Sequence, residues 1–221
     1  MKKLCLILIL ASPPVFANSV ESFQQWMTVN ALTQFNNNYR AYLEINPRLM
    51  DGDSRLGALF VRPGIGYDVT PDLTLWVGYV LQATNTPHNN NYTLENQSYQ
   101  QVTYRKTIEN DKWELRSAVE ERFLPGQVSY RSRYRLKYEY VFPDQKTWSI
   151  IGYDEIFFNF NDIQEYNIRA GISQNRLYAG VGFRFNPSVQ IETGYINQQI
   201  WNSGLSDQDN HVLSSTLNLV F

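Results

Sequence analysis

The sequence is poor in the groups that carry most enzyme chemistry. Its 221 residues hold one cysteine and two histidines. Cys5 falls in a segment read below as a removable leader, so the exported chain has neither a disulfide nor a thiolate. Lysine and arginine number 19 against 21 acids, for a net charge of −2, and this lack of a basic surplus argues against a nucleic-acid partner. Beyond residue 17 no apolar run is long enough for a transmembrane helix. Glycine-rich phosphate loops and metal-ligand clusters at usable spacing are also missing, so no cofactor and no metal is expected.

What the chain does have is alternation. From 130 to 140, Tyr130, Ser132, Tyr134, Leu136, Tyr138 and Tyr140 interleave with Arg131, Arg133, Arg135, Lys137 and Glu139. A strand has a side-chain period of two, so one face is aromatic and aliphatic and the other densely charged. A soluble sheet buries its apolar face and leaves the other to water. A ladder of cations repeated on several strands fits a barrel in lipid better, with tyrosine and leucine outside and charge in the lumen. The 14% aromatic content suits the interfacial girdles of such a wall.

Both ends of the chain agree. Lys2 and Lys3, the apolar run 4–10 and the small-residue exit Val15-Phe16-Ala17 form a secretory signal peptide over 1–17, cut before Asn18. Its apolar stretch is too short to span as an anchor, and Cys5 lacks the small residues before it that a lipoprotein acceptor needs. Residues 18–221 are then the barrel. At the far end Leu213, Ser215, Leu217, Leu219 and Phe221 share a face, and Leu217, Leu219 and Phe221 resemble the C-terminal signal read by the barrel assembly machinery.

An internal repeat supplies the unit. GIGYDVTPDLTLWVGYV at 64–80 aligns with GVGFRFNPSVQIETGYI at 180–196, keeping Gly64/Gly180, Gly66/Gly182, Pro71/Pro187, Gly78/Gly194 and Tyr79/Tyr195. Each copy reads as a hairpin, with Thr70-Pro71-Asp72 or Asn186-Pro187-Ser188 as its tight turn. Other short turns fall at 36–38, 109–111 and 143–145. Longer polar connections are expected at 85–94, 161–170 and 202–210, with shorter ones near 50–54 and 125–127. Short periplasmic turns opposite longer outer loops is the outer-membrane arrangement.

The periodicity predicts strands over 23–35, 39–49, 55–69, 73–84, 95–108, 112–124, 128–142, 146–160, 172–185, 189–201 and 211–221. Bacterial single-chain barrels have even strand numbers. The expectation is therefore an all-β, transmembrane, antiparallel up-and-down β-barrel of about twelve strands, with ten as the fallback. The missing strand is sought within 18–35, or in a hairpin hidden in 161–185 that turns at Gln174-Asn175.

Alternation also drafts a lumen. Inward go Arg40, Glu44, Arg48, Arg62, Asp68, Arg105, Glu114, Arg116, Glu120, Arg122, Arg131, Arg133, Arg135, Lys137, Glu139, Arg176, Arg184 and Glu192. Glu121 and Asp154 fall on the outer face; Glu121 lies near a strand end, and Asp154 requires a local bulge. Charges this dense should pair across strands, since a half-buried ion without a partner is costly. Two arrangements fit: a salt-bridge plug, or a conducting charge-lined eyelet that the arginine excess would make anion-selective.

The Gln25-Trp26 start, Asp53-Ser54-Arg55-Leu56, the arginine-rich seventh strand, residues 154–159 (DEIFFN), residues 174–180 (QNRLYAG) and the Gly-Tyr hairpin end resemble a family of bacterial outer-membrane proteins classified only as a domain of unknown function. The resemblance covers essentially the whole of 18–221. It implies a barrel in the Gram-negative outer membrane, with outer-membrane lipids and lipopolysaccharide as surroundings and the barrel assembly machinery as partner during insertion. It carries no residue roles.

Enzyme readings are weaker. Outer-membrane phospholipases and lipid A deacylases place a histidine two residues before a serine, which neither His88 nor His211 does. Asp51-Gly52-Asp53 and Asp209-Asn210-His211, in loops assigned to the outside, resemble the paired acids and acid-histidine pair of omptin proteases; an ordinary turn and a lone polar histidine explain them better. A soluble lipocalin-type barrel would put tyrosines inside, and about eleven strands would leave its apolar lumen too wide to fill. The expected activity is thus a narrow charge-lined channel for small polar or anionic solutes. The alternatives are a closed structural or adhesive barrel and, last, an omptin-like protease.

Overall fold

The computed structural model describes residues 19–50, 55–85, 92–202 and 206–221. The expected leader at 1–17, with Asp51 and Asp53, lies outside the described residues. Eleven strands follow in order: β1 (Val20–Gln34), β2 (Tyr39–Met50), β3 (Arg55–Thr70), β4 (Leu73–Asn85), β5 (Tyr92–Ile108), β6 (Asp111–Leu124), β7 (Gln127–Val141), β8 (Trp148–Asn159), β9 (Gly171–Asn186), β10 (Val189–Ile200) and β11 (Gln208–Val220). Among the described residues the only helical element is a single 3-10 turn, Gln164–Tyr166.

Consecutive strands pair antiparallel, and β1 closes on β11 in parallel, in unbroken register from Val20↔Gln208 to Leu32↔Val220. The expectation of twelve strands, or of ten, is corrected here. An even number is required only if every neighbour is antiparallel. A parallel closing pair satisfies the same backbone groups with slanted hydrogen bonds. Among the described residues of 18–35 there is β1 alone and no further strand, and Gln174-Asn175 is no turn but the interior of β9.

The parallel closure puts the start of β1 and the end of β11 at opposite ends of the barrel. One end carries the tight turns. Asn36 Oδ1 accepts from the Asn38 and Tyr39 amides, Thr70 Oγ1 accepts from the Leu73 amide, and Asn186 Oδ1 accepts from the Ser188 amide, each at 2.9–3.0 Å. These are the side-chain turns that asparagine and threonine favour. The other end carries the longer connections. There the 160–170 loop folds onto the β6–β7 turn: Tyr166 donates to the Pro125 carbonyl at 3.0 Å, Asn161 bonds the backbone at Val128 and Tyr130, and Ile163 is buried.

The wall inverts the usual polarity of a protein. Val77, Leu75, Leu81, Ile65, Leu115 and Leu136 are exposed on the outer face, while Arg62, Glu120, Glu139 and Glu155 are buried inside. Aromatic side chains ring the outer face near the tight turns, with contacts between Tyr39 and Tyr67 at 5.1 Å, Trp113 and Tyr138 at 4.6 Å, and Trp148 and Phe183 at 4.8 Å. Phe158 and Phe160 pack at 5.5 Å toward the other end.

The two outward acids are accommodated by polar neighbours. Glu121 accepts from Ser98 Oγ at 2.8 Å, and Asp154 accepts from Asn175 Nδ2 at 2.5 Å. The bulge expected at Asp154 is not there. Its register to Leu136 and Leu177 is regular, and the β8 irregularity lies at Phe157/Phe158.

Candidate functional site in the barrel lumen

Eleven strands enclose a bore wider than the one that eight strands fill with ordinary side chains. Long ionic side chains cross it. Glu120 on β6 receives Arg62 from β3 at 2.5 Å, Arg131 from β7 at 2.5 Å and Arg133 from β7 at 2.8 Å. Glu155 on β8 receives Arg116 from β6, Arg133 at 2.9 Å and Arg176 from β9 at 3.4 Å. Arg133 thus joins two carboxylates, each surrounded by three guanidinium groups. Glu120 is fully buried, so its charge is satisfied entirely by these forked donors.

Toward the tight turns the pairs become simpler. Glu114 binds Arg135 and, at 2.8 Å, Arg105. Lys137 reaches across to Glu192 at 2.8 Å, and Glu139 takes Lys112 at 3.3 Å with Arg184 at 3.9 Å. At the other end Arg122 holds Glu95 at 2.6 Å. Every residue of the expected luminal ladder, from Arg105 on β5 to Arg184 on β9, therefore lies inside the barrel and in an ion pair.

Arg48 is the exception in kind. It donates to Asn46 Oδ1 at 2.6 Å, and its guanidinium lies between two rings, 3.7 Å from the Trp26 centroid and 3.9 Å from that of Phe60. Stacking of this sort stabilises a partly desolvated cation.

Sequence reasoning missed a layer of amides. At the long-loop end Gln24, Asn210, Gln198, Gln174, Asn159 and Gln97 face inward and are buried. Asn210 donates to Gln198 at 3.0 Å and accepts from Ser22 at 2.6 Å, while Gln24 accepts from the Trp26 indole at 2.9 Å. The signal lay in the same alternation, on the inward positions of the strands, but without charge to draw attention to it.

The lumen is consequently asymmetric. A cavity of about 290 Å³ is lined by Asn30, Thr216 and Asn218 toward the tight turns and by Trp26, Arg48 and Arg176 at its deep end. Buried Asn46 lines it, but none of the six amides of the layer does, so the cavity is a vestibule that stops below the amide layer.

Of the residues considered for proteolysis, Asp209 and His211 do not line this cavity. Asp209 and His211 were expected in a loop, but both lie within β11 on the outer face. There Asp209 accepts from Asn197 at 2.6 Å, and His211 Nδ1 bonds the Tyr195 hydroxyl at 2.5 Å. Among the described residues no group of three or more His, Cys, Asp and Glu is placed to hold a metal ion. Of the C-terminal residues, Leu217 and Leu219 face outward beside Val29 and Ala31, and Phe221 is 77% exposed, with its amide bonded to the Leu32 carbonyl at 2.9 Å.

A family described as "Protein of unknown function (DUF2490)" matches residues 23–210, which run from β1 into β11. This chain belongs to the DUF2490 family. An uncharacterized protein of Methylorubrum extorquens is similar to this DUF2490 chain, with 25% identity over 216 residues that cover 96% of this chain and 93% of the relative. The family description assigns no activity to the luminal residues, so their geometry has to carry the functional reading.

Proposed function

We propose that this chain is a Gram-negative outer-membrane β-barrel whose lumen is closed by its own ion pairs and amides, leaving a vestibule open toward the periplasm. The observation that carries the reading is the inverted polarity of the wall, apolar and aromatic outside and charged within. The strands run from 12 to 17 residues, longer than the roughly 9–11 that a tilted strand needs to span a bilayer. A closed wall has no open strand edge, the condition that hydrocarbon imposes. The short turns would face the periplasm, where export by the expected signal peptide delivers the chain. Leu217, Leu219 and Phe221 would be presented to the assembly machinery, and lipid and lipopolysaccharide would surround the finished wall.

Closure, as opposed to conduction, is supported by the pairing. Ionic side chains held by two or three partners are poorly placed to exchange with a passing solute. Two measurements test the two halves of the proposal. Native protein in bacterial envelopes should resist salt extraction and be released by detergent; release by salt alone would remove the membrane assignment. Refolded protein in a planar bilayer should be electrically silent, whereas reproducible anion-selective steps would replace the closed barrel with the channel reading.

A further inference from the structure

We infer that the vestibule is a binding site for a small oxyanion carrying two or more charges, a phosphate ester or a polycarboxylate. The inference rests on the closed lumen and is independent of where in the cell the barrel resides. Three observations point to it.

The first is charge. Eight cationic side chains and four carboxylates line the cavity, so the site holds a fixed positive surplus in a confined space. In low-dielectric surroundings such a surplus is expensive until a counter-charge arrives.

The second is donor capacity. A guanidinium brings more N–H donors than a carboxylate has oxygens to receive. Arg116, Arg133 and Arg176 share the single carboxylate of Glu155, and Arg62 and Arg133 share Glu120 with Arg131. Arg48, on the same cavity, donates to a side-chain amide and stacks between two rings. Buried Nε atoms of Arg133 and Arg135, and the Trp76 indole Nε1, have no hydrogen-bond partner among the described residues. All three residues line the vestibule. An oxyanion supplies several acceptors to such an array, in the bidentate geometry that arginine favours.

The third is size and lining. At about 290 Å³, the cavity equals the liquid volume of roughly ten waters, which suits a molecule of the size of pyrophosphate or citrate. Trp26, Trp76, Tyr42 and Tyr153 give it flat walls against which an organic portion can pack.

The test is calorimetric titration of the refolded protein in detergent at low ionic strength, with pyrophosphate, citrate and uncharged trehalose. Saturable binding of pyrophosphate or citrate, weakened tenfold or more by Arg48→Met or Arg116→Met and absent for trehalose, is the expected result. Tighter pyrophosphate assigns a phosphate ligand, and tighter citrate a polycarboxylate. No saturable heat from either anion with folded protein overturns the inference, as does equal affinity in folded variants. A readout on the unaltered protein guards against a variant that fails to fold. Iodide quenching of tryptophan fluorescence should be relieved by the bound anion while quenching by neutral acrylamide at exposed Trp148 and Trp201 persists; iodide quenching that ignores both anions also overturns it.

Discussion

Glu120 is the residue on which the luminal charge depends most. It is fully buried and, among the described residues, is the carboxylate in ion-pair contact with Arg62 and Arg131, which lie beside Arg133. Removing one partner from a buried ionic cluster costs far more than the cluster contributes as a whole, because the remaining charges stay desolvated. Glu120→Gln is therefore expected to lower stability by about 3–5 kcal/mol, read as a shifted urea midpoint of the refolded barrel. Lys106→Ala should leave that midpoint almost unchanged, since its bond to Asp72 at 2.7 Å lies at an exposed turn. Which charges face inward was legible from period two alone. Which acid each one meets was not. Arg62 and Glu120 are 58 residues apart, and Lys137 and Glu192 are 55 apart; these pairs skip over intervening strands, so only the closed bore brings them together.

At the scale of elements, the repeated hairpin has a reason visible only in the lumen. Its conserved-in-repeat glycines pair across strands, Gly64 with Gly78 on β3 and β4, and Gly180 with Gly194 on β9 and β10. Each pair forms a bare patch of backbone on the inner wall. Tyr99 lies against the first patch and Tyr178 against the second. A Cβ at Gly194 would sit 2.6 Å from the Gly180 Cα, a backbone atom that cannot swing aside. Gly194→Val should destabilise the barrel by about 1–3 kcal/mol or more, seen as loss of the heat-modifiable band on electrophoresis. The strands themselves were plainly written. All eleven appear within a few residues of where the alternation placed them, and the C-terminal loop ends earlier than expected because β11 starts at Gln208. The error lay in a rule about parity, imposed on a pattern that had already counted correctly. The amide layer escaped because uncharged inward residues look much like a polar surface until the bore is closed around them.

For the whole molecule the decisive joint is the parallel seam. Met27 and Ser215 are register partners on the outer face of β1 and β11. With Cys5→Ser removing the one native cysteine, Met27→Cys with Ser215→Cys should cross-link upon oxidation of the folded barrel. Moving one partner to Leu219 should abolish the bond. Cross-linking that is insensitive to this shift would mean that closure does not occur in this register. Formation of the bond in a denatured control should be slow, because the two positions approach only when every intervening strand is in place.

An odd wall also sets what can be done with the chain's order. In a barrel of antiparallel hairpins alone, first and last strands finish side by side at one rim, and a short linker can join them and let the chain be reopened at another turn. Here the start of β1 and the end of β11 lie at opposite rims, separated along a seam of 13 paired residues, roughly 40 Å of strand. A short linker cannot bridge that height, and a long one must run through the crowded bore or down the apolar outer face. Circular permutation, an easy operation on even barrels, is closed to this one, and any insertion has to enter at an existing turn.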